Sequence, residues 1–310
     1  MKYTEKNFDF IEIENEGFAG DYIKMPTFVG KLWMKSNVKK LRSMMGGFSK
    51  DISSRPIIVE EKNIKGYKND IRIRIYKPEE DKKRPAMIFI HGGGWFAGSI
   101  DAVHDYCKAI SDKADTLVIS VDYGLAPENP YPTGVEDCYA AVKWAIENKD
   151  ELNIDTDNVI VSGDSAGGNY SAVISIMARD RKEFNIAKQI LLYPATDLQS
   201  MEVDNSDKMA KIFSEVILEW YLKQKTKATD KYVSPMHCDD LSNLASAFIV
   251  VGDLDFLHES SLKYAEKLEK AGNEVKFSLY KNTRHAFIDN TGNCPQADVL
   301  IEEVVEFIKG

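Results

Sequence analysis

From residue 57 onward the spacing of hydrophobic positions changes period repeatedly along the chain. Asp70-Ile71-Arg72-Ile73-Arg74-Ile75-Tyr76 alternates polar and apolar, which predicts a strand with one buried face. Residues 86–90 (AMIFI), 117–121 (LVISV), 159–161 and 190–193 are instead short continuous apolar runs rich in β-branched side chains, and 248–251 and 275–280 extend the series. Runs of that kind suit parallel strands covered on both faces. Between them Val135, Cys138, Tyr139, Val142, Ala145 and Ile146 fall on one helical face. Leu262, Ala265 and Leu268 repeat the spacing, with Gly272 as the helix stop, and Val299, Ile301, Val304, Val305 and Ile308 form a C-terminal helix. Strands alternating with helices predict βαβ crossovers, an α/β fold and a mostly parallel sheet.

Two segments break this rhythm. Residues 1 to about 50 scatter Phe18, Tyr22, Phe28, Trp33, Met44 and Met45 without a clear strand. Residues from about 198 to 232 begin polar and turn helical and aromatic through Phe213, Trp220 and Tyr221. Both are expected as helices over the carboxyl end of the sheet, where open α/β sheets bind ligands, or as ordinary surface helices. With no internal repeat and no low-complexity linker, the 310 residues read as one domain with an appended lid.

Composition narrows the partners. The net charge is −9, so a basic footprint for tracking phosphates is missing and nucleic acid is not an expected partner. An anionic membrane surface would repel the chain, and no apolar run approaches the ~18 residues of a membrane span. Cys107, Cys138, Cys238 and Cys294 form no CxxC pair and read as reduced thiols. The first residues, MKYTEKNFDF, carry no secretory apolar region. These features point to a soluble, cytoplasmic chain.

The chemistry is concentrated at strand ends. Gly163-Asp164-Ser165-Ala166-Gly167 follows the 159–161 strand and opens a helical stretch, which is the strand–turn–helix setting of a GxSxG nucleophile elbow. Gly163 and Gly167 leave room for a strained turn, and the following helix presents N–H groups toward developing negative charge. His91-Gly92-Gly93-Gly94-Trp95 follows the 86–90 strand. Three consecutive glycines let backbone N–H groups approach a ligand oxygen, as an oxyanion site needs. A phosphate loop is the weaker reading, because neither a following Lys-Ser/Thr nor GxGxxG spacing is present.

A serine nucleophile needs a base, and the base an orienting acid. His285 lies just after the 275–280 strand, whereas His104, His237 and His258 have no special neighbours. The acid should follow the 248–251 strand, where Asp253 and Asp255 both stand. Spacing leaves both open: Asp253 sits where a residue braces the turn, and Asp255 sits further out, where a loop reaches His285.

These motifs resemble the hormone-sensitive-lipase-like branch of the α/β hydrolases, the bacterial family IV carboxylesterases, over about residues 85 to 290. His91-Gly92-Gly93-Gly94-Trp95 is similar to that family's HGGG motif, and the segment from Gly163 to Asn169 to its GDSAGGN elbow. Asp122-Tyr123-Gly124-Leu125-Ala126-Pro127-Glu128, Tyr131-Pro132 to Asp137, Leu192-Tyr193-Pro194 and Ser234-Pro235 resemble further landmarks in the same order. The resemblance implies an eight-stranded, mostly parallel sheet with a helical cap drawn from about 1–50 and about 198–232. It implies Ser165 as nucleophile, His285 as base, Asp255 as acid, and Gly93, Gly94 and Ala166 as oxyanion donors. His91, Gly92, Gly163, Asp164 and Gly167 support those motifs. Gly124 departs from the family's usual Arg, and Phe256 from its usual Pro. The implied activity is hydrolysis of short- to medium-chain acyl esters without metal or organic cofactor. An amidase or peptidase with the same triad, or a binding protein that keeps the shell without turnover, are the alternatives. A small-molecule ester is the expected partner, and a homodimer is left open.

Overall fold

The computed structural model describes residues 1–9, 27–203, 208–223 and 226–310. The strands are β1 (Lys2–Asn7), β2 (Ile57–Lys65), β3 (Asp70–Pro78), β4 (Arg84–Ile90), β5 (Leu117–Asp122), β6 (Ile154–Asp164), β7 (Lys188–Leu192), β8 (Ser246–Gly252) and β9 (Val275–Lys281). They form one sheet in the order β1-β9-β8-β7-β6-β4-β5-β3-β2. Only β2–β3 and β3–β5 pair antiparallel; the other neighbours are parallel. The helices are α1 (Thr27–Ser36), α2 (Val38–Ser43), α3 (His104–Ala114), α4 (Thr133–Glu147), α5 (Lys149–Leu152), α6 (Ala166–Arg181), α7 (Leu198–Val203), α8 (Lys208–Leu222), α9 (His258–Lys270) and α10 (Pro295–Lys309).

Among the described residues the sheet has nine strands where eight were expected, and the addition is β1. Its sequence, KYTEKN, has no apolar run, so no hydrophobic pattern announces it. It adds to β9 in parallel from Lys2↔Lys276 to Asn7↔Lys281. Tyr3 stacks on Phe277 at 5.6 Å, and the Thr4 and Ser278 hydroxyls lie 2.7 Å apart. The expectation that all of residues 1–50 belong to a cap is corrected accordingly: the start of the chain is sheet. Phe18 and Tyr22 lie outside the described residues, as does the side chain of Phe28.

The continuous apolar runs are buried on both sides, as their composition requires. Along β4, Ile88 and Ile90 join Val135, Cys138 and Val142 of α4, whereas Met87 and Phe89 join Tyr106, Cys107 and Ile110 of α3. The alternating strand β3 departs from its expected polar face. Ile71, Ile73 and Ile75 are buried, but so are Arg74 and Tyr76 on the other side, because α3 covers that face. Arg74 stays charged there by pairing with Glu61 and Asp101.

Helix α8 lies across the carboxyl end of the sheet. It stacks Tyr221 on Trp95 at 4.7 Å and sets Trp220 and Phe213 against Phe96 at 5.2 and 5.9 Å. α1 is pinned to it by Lys31–Glu215 and by Lys35–Glu219 at 2.6 Å. Among the described residues no helix is long and apolar enough to cross a membrane.

Ile88 is fully buried at the sheet's centre, paired with Ile119 and Val161 in the neighbouring strands. Ile88→Ala is therefore expected to cost about 2–5 kcal/mol, read from the shift of the urea unfolding midpoint. Leu32→Ala, on the exposed face of α1, should stay within about 0.5 kcal/mol.

Candidate active site

Ser165 stands between β6 and α6 with φ 52° and ψ −113°, a left-handed φ that costs a non-glycine residue energy. The turn is held from three sides. Ser165 N–H donates to the Leu192 carbonyl at 2.8 Å, and the Ser165 carbonyl accepts from Asn169 N–H at 2.9 Å and Ala195 N–H at 3.2 Å. A Cβ at Gly163 or at Gly167 would strike the Ile90 carbonyl at the end of β4. That contact explains both glycines of the motif.

The structure brings the expected triad together. His285 Nε2 lies 2.9 Å from Ser165 Oγ, and His285 Nδ1 lies 2.7 Å from Asp255 Oδ2. The Asp255 side chain is fully buried, and its other oxygen accepts the Leu257 N–H at 2.8 Å. Asp253 takes the bracing place instead, accepting from Thr283 N–H at 3.4 Å and pairing with Lys281 at 3.5 Å. Of the other histidines, His104 pairs with Tyr76 at 3.1 Å and His237 with Asp197 at 2.9 Å.

The glycine loop curls back on itself beside the serine. Gly93 and Gly94 have φ values of +111° and +58°, and a Cβ on Gly93 would strike the backbone of Ala97. Gly92 donates its N–H to Asp164 Oδ1 at 2.8 Å, and a Cβ there would collide with that carboxylate. The His91 ring stacks on Tyr123 at 4.4 Å, while the Tyr123 hydroxyl donates to the His91 carbonyl at 2.9 Å. Gly98 (φ +85°) closes the loop, with no space between Gly92 and the His91 ring for a side chain. No motif marks Gly98 in the sequence, although it lies close after the HGGG run.

Gly93, Gly94, Ser165, Ala166 and His285 line one cleft of about 630 Å³. Met45 and Phe213, two of the expected lid residues, also line it. Trp220 packs on Phe96 instead, and Trp33 lies under the Lys40 ammonium at 5.7 Å.

The electrostatics around His285 are set by three carboxyls. Burial alone would push the imidazole pKa down, but the charges of Asp255, then Asp164 and Asp289, override it and hold the pKa above the ordinary histidine value. Burial raises Asp164 to about 6 and Asp289 to about 7; the Gly92 N–H works against the first rise, and Asp164's charge adds to the second. Asp289 gave no sequence signal beyond lying four residues after His285. Tyr193 sits edge-on to the His285 ring at 4.8 Å.

Both departures from the family pattern have a structural counterpart. Gly124 donates its N–H to Asp137 at 3.0 Å, and Glu128 is held by Arg42 of α2 at 2.6 and 3.1 Å. Arg42 also donates to the Phe96 and Ala126 carbonyls at 2.6 and 2.9 Å, so an arginine arrives from another helix. Phe256 lays its ring 4.9 Å from that of His285.

This sheet order, with a serine elbow and a glycine loop at adjacent strand ends, defines a hydrolase of the α/β class. A sequence model of the α/β hydrolase fold matches residues 87–289. The chain is 36% identical to the carboxylesterase NlhH of Mycobacterium tuberculosis over 243 residues, covering 74% of this chain and 76% of the relative. It is 35% identical over 245 residues to the carboxylic ester hydrolase LipN of the same organism, covering 74% of this chain but only 64% of LipN. The solved hyperthermophilic esterase of Pyrobaculum calidifontis superposes with a TM-score of 0.78 at 31% identity, covering 92% of this chain and 93% of that one. The chain belongs to the α/β-hydrolase family, within its hormone-sensitive-lipase-like branch of carboxylic ester hydrolases.

Gly167→Ala keeps every polar group of the site and adds one methyl against the Ile90 carbonyl. Displacing the elbow is expected to lower ester turnover by about 10²-fold or more, checked by steady-state kinetics on the purified variant.

Proposed function

We propose that the protein hydrolyses short- to medium-chain acyl esters by two-step acyl transfer. The observation that carries this reading is the continuous chain from Ser165 Oγ through His285 to Asp255, with spacings of 2.9 and 2.7 Å. Ser165 attacks the ester carbonyl while His285 Nε2 takes its proton. Asp255 accepts the Nδ1–H, which fixes the tautomer and favours the imidazolium. The N–H groups of Gly93, Gly94 and Ala166 receive the oxyanion, two from the loop and one from the start of α6, whose dipole has the same sense. His285 then gives its proton to the leaving alcohol, and water repeats the sequence on the acyl-enzyme. Every proton movement is served by the side chains named, so the cycle requires no metal or organic cofactor.

In this reading α1, α2, α7 and α8 are a cap over the carboxyl end of the sheet. The cleft volume of about 630 Å³ and its apolar side chains, Met45, Met201, Phe213 and Ile217, support acyl groups of short to medium length.

Ser165→Ala is expected to abolish turnover of p-nitrophenyl butyrate, and a phosphonate inhibitor should add covalently to Ser165, read by peptide mass spectrometry. Wild-type turnover in that variant would refute the assignment. Asp255→Asn should lower kcat by on the order of 10⁴. Only neutral His285 can act as base, so kcat/KM falls as pH drops through its raised pKa. The acid limb is therefore expected above the ordinary histidine value of about 6.5, and at lower pH in the residual activity of Asp255→Asn.

A further inference from the structure

One side chain in the cleft is required neither by the fold nor by the proton relay. Phe256 follows Asp255 and lines the cleft, its ring 4.9 Å from that of His285 at an interplanar angle of 47°. It is 66% exposed, while its neighbours Asp255 and Leu257 are buried. Proline is usual at this position in the family the sequence resembles, so the loop does not need an aromatic ring to fold. A lone exposed phenyl group is unremarkable on most surfaces, but this one borders the reacting groups and has a free face. Such a face is stabilised when an apolar ligand covers it, and most strongly when the ligand is aromatic, with ring centroids 4.5–7 Å apart.

Reaction geometry decides which part of an ester meets it. The carbonyl oxygen faces the Gly93, Gly94 and Ala166 amides, and the leaving oxygen has to come within hydrogen-bond reach of His285 Nε2. The alcohol's substituent therefore leaves the reacting carbon on the His285 side, where Phe256, its ring 4.9 Å from the imidazole, and Ala286, next to His285 in the chain, are among the residues that line the cleft. The acyl chain takes the other direction.

We propose that Phe256 forms an alcohol-side subsite that selects esters of aromatic and bulky apolar alcohols over esters of small alkyl alcohols. The proposal rests on the reading of Ser165 and His285 given above, and deepens it by naming the alcohol as the recognised part.

Benzyl acetate and ethyl acetate share an acyl group and have leaving alcohols of similar acidity, so the ratio of their kcat/KM values isolates contacts to the alcohol. The wild-type enzyme is expected to favour benzyl acetate. Phe256→Ala and Phe256→Pro should each reduce the benzyl-to-ethyl ratio about 10-fold, the lower end of what an apolar contact discriminates. Phe256→Leu should recover part of the ratio, while the ratio of ethyl butyrate to ethyl acetate stays at its wild-type value in all three. A benzyl-to-ethyl ratio unchanged in both the Ala and Pro variants would overturn the proposal, as would a parallel loss on both esters. Failure of the underlying site reading is distinguishable: turnover would then survive Ser165→Ala, whatever Phe256 does.

Discussion

The contact on which the site depends is made by backbone alone. β4 and β6 lie side by side in register, with Ile90 opposite Gly163, and the carbonyl of Ile90 projects into the space where Gly163 and Gly167 lack side chains. One strand end delivers the glycine loop and the other delivers the serine. Because the two ends touch, Ser165 and the glycine loop are held close together by the backbone itself, and the Asp164 carboxylate adds one further tie. The left-handed φ at Ser165 is the strain this closeness imposes, and the hydrogen bonds to Leu192, Asn169 and Ala195 offset it.

Around that fixed pair the groups that titrate are tuned by burial and by one another. Asp255 can hold the imidazole because its remaining oxygen is occupied by the Leu257 amide. Asp164 acts elsewhere, since one of its carboxylate oxygens receives the Gly92 N–H and so fastens the glycine loop to the end of β6. Burial raises both Asp164 and Asp289, and Asp289 the further, so Asp289 is the first of these two carboxyls to take up a proton as the pH falls.

Much of this was legible in the sequence, for physical reasons. Parallel strands buried on both faces are mostly apolar, so the apolar runs of β4 to β8 declared themselves, whereas β9, VKFSLYK, alternates and buries Lys276 and Ser278 on one face. The elbow and the glycine loop were legible because their geometry excludes side chains, and the exclusion is written as glycine. Asp255 and Asp253 could not be separated by spacing, since both follow β8 closely; resemblance favoured Asp255, and burial against His285 now distinguishes them. What stayed hidden depends on distant partners. β1 is a polar edge strand defined only by β9. Tyr76 and Arg74 read as a solvent face until α3 covers them. The arginine that meets Glu128 comes from α2 rather than from the position of Gly124.

The pairing of β1 with β9 also has a consequence for how the molecule comes into being. β1 pairs with the strand that comes last in the sheet's chain order, Lys2 opposite Lys276, so this pair cannot form until β9 has been made. Through that interval β1 can only wait, and its lysines and glutamate keep it hydrated and poorly suited to pairing with stray strands. Its polar sequence, which concealed it from pattern reading, is the same property that lets an early strand survive until its late partner arrives.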